Sequence, residues 1–220
     1  MSGGPIRLDL RGTEPDADAL APVALHLRGG GLAAYPTETV YGFGCALHGE
    51  ALEALAHLKR REGHKPFLLL VSDASAVPAL AWTDEARELA RIFWPGSLTL
   101  VLADPDATFP EAVRSAAGGV AVRVSAHPVA RTLTSLLDGP LTSTSANAPG
   151  MAPAGHGEAA MAAARALGAD ERMWVLDAGA LPPSPSSTIV DCTGPTPAVL
   201  REGATPLARL RCVLPGIDGH

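Results

Sequence analysis

The stretch Leu32-Ala33-Ala34-Tyr35-Pro36-Thr37-Glu38-Thr39-Val40-Tyr41-Gly42 sets a short apolar segment directly against a run of hydroxyls, one carboxylate and a glycine. Residues 32–35 read as a strand, and the polar run is its exit. An ordinary surface turn has little use for that many hydroxyls, whereas a cleft that holds a small polar ligand needs them. Upstream, 13–28 predicts a helix with Leu20, Val23, Ala24 and Leu27 on one face, stopped by Gly29-Gly30-Gly31. Downstream, helices are expected over 50–59, 84–93, 128–137 and 158–167. Strands are expected over 67–71, 97–102, 120–124, 141–144, 173–176, 187–191 and 198–201. Thr83 suits a helix N-cap, Pro95-Gly96 a stop, and Pro128 a first turn. Residues 147–157 and 182–185 read as loops, and the last residues as frayed. The alternation of helix and strand predicts an α/β protein.

At 220 residues, with 47% hydrophobic and 18% charged side chains, the chain fits a soluble globular protein with one sizeable core. A chain of this length buries roughly 70% of its unfolded surface. One domain over 1–220 is expected, ordered from about 5 to 205. Aromatic residues are only 4%, so Leu, Val and Ala must build the core. The net charge of −6 argues against a protein whose main task is gripping nucleic acid by charge. It leaves room for the local basic patch of Lys59, Arg60, Arg61 and Lys65. The cysteines, Cys45, Cys192 and Cys212, form neither a zinc pattern nor a disulfide framework. They read as small buried hydrophobes in a reducing cytoplasm. The N-terminus lacks a signal-peptide core, and the apolar run 67–71 is far too short to span a bilayer, so no membrane association is expected.

Some patterns carry nothing. Gly29-x-Gly31-x-x-Ala34 spells a dinucleotide fingerprint, but it follows a helix and precedes a strand, the reverse of what pyrophosphate binding requires. It reads as a helix C-cap. No P-loop and no metal-ligand cluster is visible, and His127 before Pro128 reads as a helix-start residue.

Lys59 and Arg61 end the second predicted helix. If the chain is extended there, both share a face, with Lys65 close behind, as a triphosphate or carboxylate would require. A solvated helix end is the plainer alternative. Ser143, Ser145 and Asn147 alternate, so a strand exit would aim all three one way, or form a polar turn before Pro149-Gly150. Arg123 stands in an apolar strand and must reach solvent from an edge or meet a partner. Ser187-Thr188 enters one late strand, and Arg201 leaves another.

Those residues resemble the YrdC-type threonylcarbamoyl-AMP synthases over nearly the whole chain. The matching blocks are Pro36-Thr37-Glu38-Thr39-Val40-Tyr41-Gly42, Lys59-x-Arg61 with Lys65-Pro66, and Trp94-Pro95-Gly96-x-Leu98-Thr99. Val122-Arg123-Val124 with His127-Pro128 follows, then Ser145-Ala146-Asn147, Ser187-Thr188-Ile189-Val190-Asp191 and Arg201-x-Gly203. The resemblance implies a twisted, mixed parallel and antiparallel sheet flanked by helices around a concave pocket. It implies an enzyme, a nucleotidyltransferase that condenses L-threonine, bicarbonate and ATP to threonylcarbamoyl-AMP and pyrophosphate. Mg²⁺ would arrive with ATP. Downstream threonylcarbamoyl-transferase proteins would pass the group to tRNA, with which weak contact is possible.

By resemblance, Lys59 and Arg61 are the catalytic pair. They and Lys65 hold ATP phosphates or the neighbouring backbone, while Ser145, Asn147 and Arg201 bind the nucleotide. Thr37, Thr39, Arg123, Ser143 and Ser187 would take threonine, with Arg123 on its carboxylate. Two departures touch loop geometry: Lys59-Arg60-Arg61-Glu62 stands where the family more often has Lys-Gly-Arg-Pro, and Ala148-Pro149-Gly150 replaces the usual x-Ser-Gly. The likeness is to the short form, without the extra C-terminal domain of longer members. Three rivals stay open: an RNA-binding module without catalysis, a carbamoyl-phosphate-dependent transfer enzyme, and a hydrolase of the adenylate.

Overall fold

The computed structural model describes residues 3–13, 15–60 and 65–219. In chain order its elements are β1 (Ile6–Asp9), α1 (Ala17–Arg28), β2 (Leu32–Pro36), β3 (Tyr41–Gly44), α2 (Gly49–Leu58), β4 (Leu68–Leu70) and α3 (Asp84–Phe93). There follow β5 (Leu98–Ala103), β6 (Gly119–Arg123), α4 (Pro128–Leu137), β7 (Leu141–Ser145), α5 (Gly157–Ala166), β8 (Met173–Asp177), β9 (Thr188–Asp191), β10 (Ala198–Arg201), α6 (Leu207–Val213) and β11 (Asp218–Gly219).

The strands form one mixed sheet in the order β1-β8-β2-β3-β7-β4-β6-β5-β9-β10-β11. β2 pairs parallel with β8 and antiparallel with β3, which continues antiparallel to β7. β4 pairs antiparallel with β7 and parallel with β6. The expected α/β architecture with mixed strand directions is therefore present.

Alternation along β2 divides the core. Leu32 and Ala34 face one cluster, with α2, α3, α5 and the aliphatic residues of β4–β6. Ala33 and Tyr35 face the other, with Leu20, Val23 and Leu27 of α1 and Leu133 and Leu137 of α4. Both faces being covered explains why β2 is buried at every position.

Local chemistry sets the helix ends. Asp16 accepts from Ala19 N (2.8 Å), so α1 begins at Ala17 and not at 13. Thr83 Oγ1 accepts from Ala86 N (3.1 Å), and His127 Nδ1 from Val129 N (3.2 Å), as expected of helix-start residues. Gly30 ends α1 at φ +88°, a left-handed position that favours glycine.

Four elements were not anticipated. β1 pairs parallel with β8 (Ile6 with Trp174), a contact whose partner lies far along the chain. β3 reads Tyr-Gly-Phe-Gly, and two glycines lower strand propensity. Residues 206–219 are not frayed: α6 buries Leu210 completely, and β11 pairs with β10. Of the cysteines, Cys45 and Cys192 are buried as expected, while Cys212 is exposed.

The glycines of β3 are required by close approach. A Cβ on Gly44 would lie 1.9 Å from the Thr142 carbonyl oxygen, a backbone atom of the neighbouring β7. We expect Gly44→Ala to destabilise the protein by about 1–3 kcal/mol, lowering Tm by roughly 2–12 °C. Calorimetry checks this, and an unchanged Tm would mean that β3 and β7 are not so closely apposed.

Candidate active site

The polar run after β2 is a hairpin turn whose hydroxyls work internally. Thr37 N donates to Val40 O (3.2 Å), and Thr37 Oγ1 donates to the same carbonyl (2.7 Å). Thr39 N and Val40 N both donate to Thr37 Oγ1 at 3.2 Å. This closes β2 onto β3 with Pro36 opposite Tyr41. It also holds the Thr37 and Thr39 hydroxyls 3.0 Å apart.

β3 then lies against β7, and β7 against β4. The turn, the C-terminal half of β7 and the start of β9 thereby enclose a cavity of about 210 Å³. Thr37, Thr39, Lys65, Arg123, Ser143, Ser145, Ser187 and Arg201 line it, together with Thr144 and Ser186, which the sequence did not single out. Asn147 and Lys59 stand behind the wall. Lys59 Nζ donates to Ser145 O (2.8 Å), Asn147 O (2.6 Å) and Asn147 Oδ1 (3.0 Å), and it sits 5.7 Å from the centre of the Phe43 ring. Ser145 Oγ donates to Asn147 Oδ1 (2.6 Å), and Asn147 Nδ2 to Met151 O (2.5 Å). Asn147 thus braces the loop and does not follow the strand alternation of Ser143 and Ser145.

The expectation of an extended backbone from Lys59 to Arg61 needs correction. Lys59 closes α2 in right-handed helical geometry (φ −77°, ψ 0°), and Arg60 is left-handed (φ +47°). Arg61 itself lies outside the described residues.

Arg123 does not snorkel from an edge, because β6 is internal, between β4 and β5. Its side chain is only 5% exposed and it meets partners. Nε donates to Gly96 O (2.9 Å), and Nη2 to Glu38 Oε1 (2.5 Å) and Thr39 Oγ1 (3.3 Å). Glu38 Oε2 in turn accepts from Ser125 Oγ (2.6 Å) and Ala126 N (3.1 Å). Glu38 is the residue that sequence reasoning missed. The available signal was complementary: a charge inside an apolar strand requires a partner, and a carboxylate stood between two candidate threonines.

At the far wall, Arg201 donates to Ser187 O through Nη2 (2.6 Å) and Nε (3.3 Å). Ser187 Oγ accepts from Thr99 Oγ1 (2.9 Å). Thr188 turns the other way. Its hydroxyl donates to Thr205 O (2.5 Å) and accepts from Gly203 N (2.8 Å) and Thr205 N (3.1 Å), which pins the turn after Arg201. A Cβ on Gly203 would meet the Ser186 carbonyl oxygen at 2.1 Å.

The electrostatics favour an anion. Burial, and then the nearby Arg123 charge, hold the Arg201 guanidinium below its usual range. Among the described residues Arg201 has no carboxylate partner, and the cavity wall carries hydroxyls and cations but no acid. Burial also pushes the His127 imidazole down, against the upward pull of Glu38.

Comparison with known proteins settles the lineage. The Sua5/YciO/YrdC family model, described as "Telomere recombination", matches residues 26–203. The chain belongs to this family. It is 38% identical over 195 residues to a Mycobacterium tuberculosis relative, covering 87% of each chain. It is 34% identical over 200 residues to the threonylcarbamoyl-AMP synthase of Pyrococcus abyssi, covering 88% of this chain and 56% of that one. The structure of P. abyssi Sua5 complexed with L-threonine superposes with a TM-score of 0.86 at 31% identity, covering 98% of this chain and 62% of that one.

The Glu38–Arg123 pair has a pH signature. Burial works to raise the Glu38 pKa, but the Arg123 charge and the hydrogen bonds from Ser125 and Arg123 outweigh it and hold the carboxyl below its ordinary 4.5. The folded state therefore binds this proton less readily than the unfolded chain. Glu38 stabilises the fold above pH 4.5, and that contribution is lost as pH falls through the depressed pKa. Urea unfolding of the wild type and Glu38→Gln, from neutral pH to about pH 3, should show a stability gap that closes on the acid side. A gap independent of pH would contradict the ionised pair.

Proposed function

We propose that this chain is an L-threonylcarbamoyladenylate synthase, an enzyme that joins L-threonine, bicarbonate and ATP into threonylcarbamoyl-AMP and releases pyrophosphate. The observation that carries the reading is the convergence of Thr37, Thr39, Arg123, Ser143, Ser187 and Arg201 on one cavity, lined among the described residues by no acid, in a member of this family. A relative of very similar fold has been solved with L-threonine, which supports an amino acid as one ligand.

The threonine amine attacks bicarbonate, and loss of water leaves an N-carboxylate. A carbamate oxygen then attacks the α-phosphorus of ATP, and the pyrophosphate oxygen leaves. No side chain needs to act as a nucleophile. The work is positioning and charge stabilisation. Arg123 receives the threonine carboxylate through Nη1, the donor that Gly96, Glu38 and Thr39 leave available. The hydroxyls of Thr37, Thr39, Ser143 and Ser187 orient the rest of the amino acid. Ser145 faces the nucleotide, Asn147 braces it from behind the wall, and Lys59 holds both through their own carbonyls. Lys65, Arg201 and Arg61 are the cations for phosphate charge. A charge-assisted hydrogen bond contributes about 1.5–3 kcal/mol, so two or three such contacts give a rate factor of about 10³ or more.

Mg²⁺ would come with ATP and neutralise phosphate charge. Among the described residues no group of three or more His, Cys, Asp or Glu side chains could hold a metal, and the cavity wall offers hydroxyls and cations.

The product would pass to threonylcarbamoyl-transferase proteins acting on tRNA. A reducing cytoplasm suits the free cysteines. Among the described residues no helix is long and apolar enough to cross a membrane.

Incubation with the three substrates should yield threonylcarbamoyl-AMP by mass spectrometry together with pyrophosphate. Absence of both would reject the assignment. Arg123→Ala should raise the threonine KM by about tenfold or more while the ATP dependence holds, since it removes a charged hydrogen-bond partner. A change confined to ATP would move Arg123 to the nucleotide. Lys59→Ala and Arg61→Ala should each lower kcat strongly with the fold intact by circular dichroism. Unchanged pyrophosphate release in both would remove them from the mechanism.

A further inference from the structure

Arg123 uses its donors unevenly. Nε is held by Gly96 O at 2.9 Å, and Nη2 by Glu38 Oε1 at 2.5 Å and Thr39 Oγ1 at 3.3 Å, while Nη1 donates to no described residue. No buried side-chain nitrogen or oxygen among the described residues lacks a partner, so Nη1 keeps accessible surface, and Arg123 forms part of the cavity wall. A guanidinium is a rigid plane with donors at fixed edges. Fixing Nε and Nη2 therefore fixes where Nη1 points.

Glu38 is not in the cavity wall. Its second oxygen is anchored by Ser125 Oγ (2.6 Å) and Ala126 N (3.1 Å), so it is a fixed post and not a swinging one. Its charge also offsets that of Arg123, while Arg201 has no acidic partner among the described residues. Among the described residues the wall thus keeps Arg123 Nη1 as a fixed donor for a substrate carboxylate, apart from Arg201, whose charge no described acid offsets.

We infer that Glu38 is a positioning residue for the amino-acid substrate. It acts through Arg123, aiming Nη1 at the substrate carboxylate, and does not touch the substrate. This rests on the threonine reading of the cavity.

The test is calorimetric titration with L-threonine alone, followed by steady-state kinetics. Glu38→Gln should weaken threonine binding by about tenfold, the scale of one charge-assisted hydrogen bond. The threonine KM should rise by the same factor, with kcat and the ATP KM unchanged. Ser125→Ala, which withdraws the support of Glu38 but leaves its carboxylate on Arg123, should move threonine affinity in the same direction by less. In an Arg123→Ala background, Glu38→Gln should add nothing. Thermal melts check that each variant folds; should Glu38→Gln fail to fold, Ser125→Ala carries the test.

Unchanged threonine affinity in the folded Glu38 variant, or in Ser125→Ala if that variant alone folds, overturns the inference. So does an equal rise in both KM values, or a full effect of Glu38→Gln without Arg123. A wild-type protein that binds no threonine overturns the reading of the cavity, and this inference with it.

Discussion

The Arg123 guanidinium and the Glu38 carboxylate meet at 2.5 Å, where the turn between β2 and β3 reaches the C-terminal end of β6. That contact fixes Arg123 in the cavity wall and ties the turn to β6. Arg123 carries the charge in an interior strand, where an unpaired ion costs several kcal/mol. Glu38 satisfies it from a turn far away in sequence and is itself satisfied by Ser125 and Ala126. Removing Glu38 would leave the Arg123 charge, on a side chain only 5% exposed, without its carboxylate. The same contact draws in the Trp94–Gly96 segment through Gly96 O, so three separate parts of the chain share one polar junction.

A second constraint is steric. β3 approaches β7 so closely that side chains at Gly42 and Gly44 would meet Ser143 Oγ at 2.9 Å and Thr142 O at 1.9 Å. Their absence brings the hydroxyl-rich end of β7 alongside the turn. At the opposite wall Gly203 has the same role, and the Thr188 hydroxyl closes the turn with three backbone hydrogen bonds. The cavity is thus bounded by backbone held at close quarters, which gives small hydroxyls defined positions and lets a small ligand touch several at once.

The chemistry attributed to the family suits such a site. A reaction in which substrate atoms attack one another needs a container that sets distances and absorbs charge. A wall of hydroxyls with guanidiniums, free of carboxylates among the described residues, is that kind of container. Lys59 shows how roles shift within it. Its ammonium donates to the carbonyls of Ser145 and Asn147, so it acts on the cavity through the loop it holds.

Much was legible in the sequence because it is local. α3 and α4 have the predicted bounds, since Thr83, His127 and Pro128 act within one helical turn. The central strands are apolar runs, and most of the residues that line the cavity could be picked by type and spacing. The sequence by itself determined most of the helices and strands, and which hydroxyls and cations were available. Only the tertiary structure decided that β1 docks on β8, that Tyr-Gly-Phe-Gly is a strand, that residues past 205 form α6, and that Arg123 pairs with Glu38. Each of these depends on a partner distant along the chain: a free strand edge, a neighbouring carbonyl, a buried apolar face or a complementary charge. No window of local sequence contains that information.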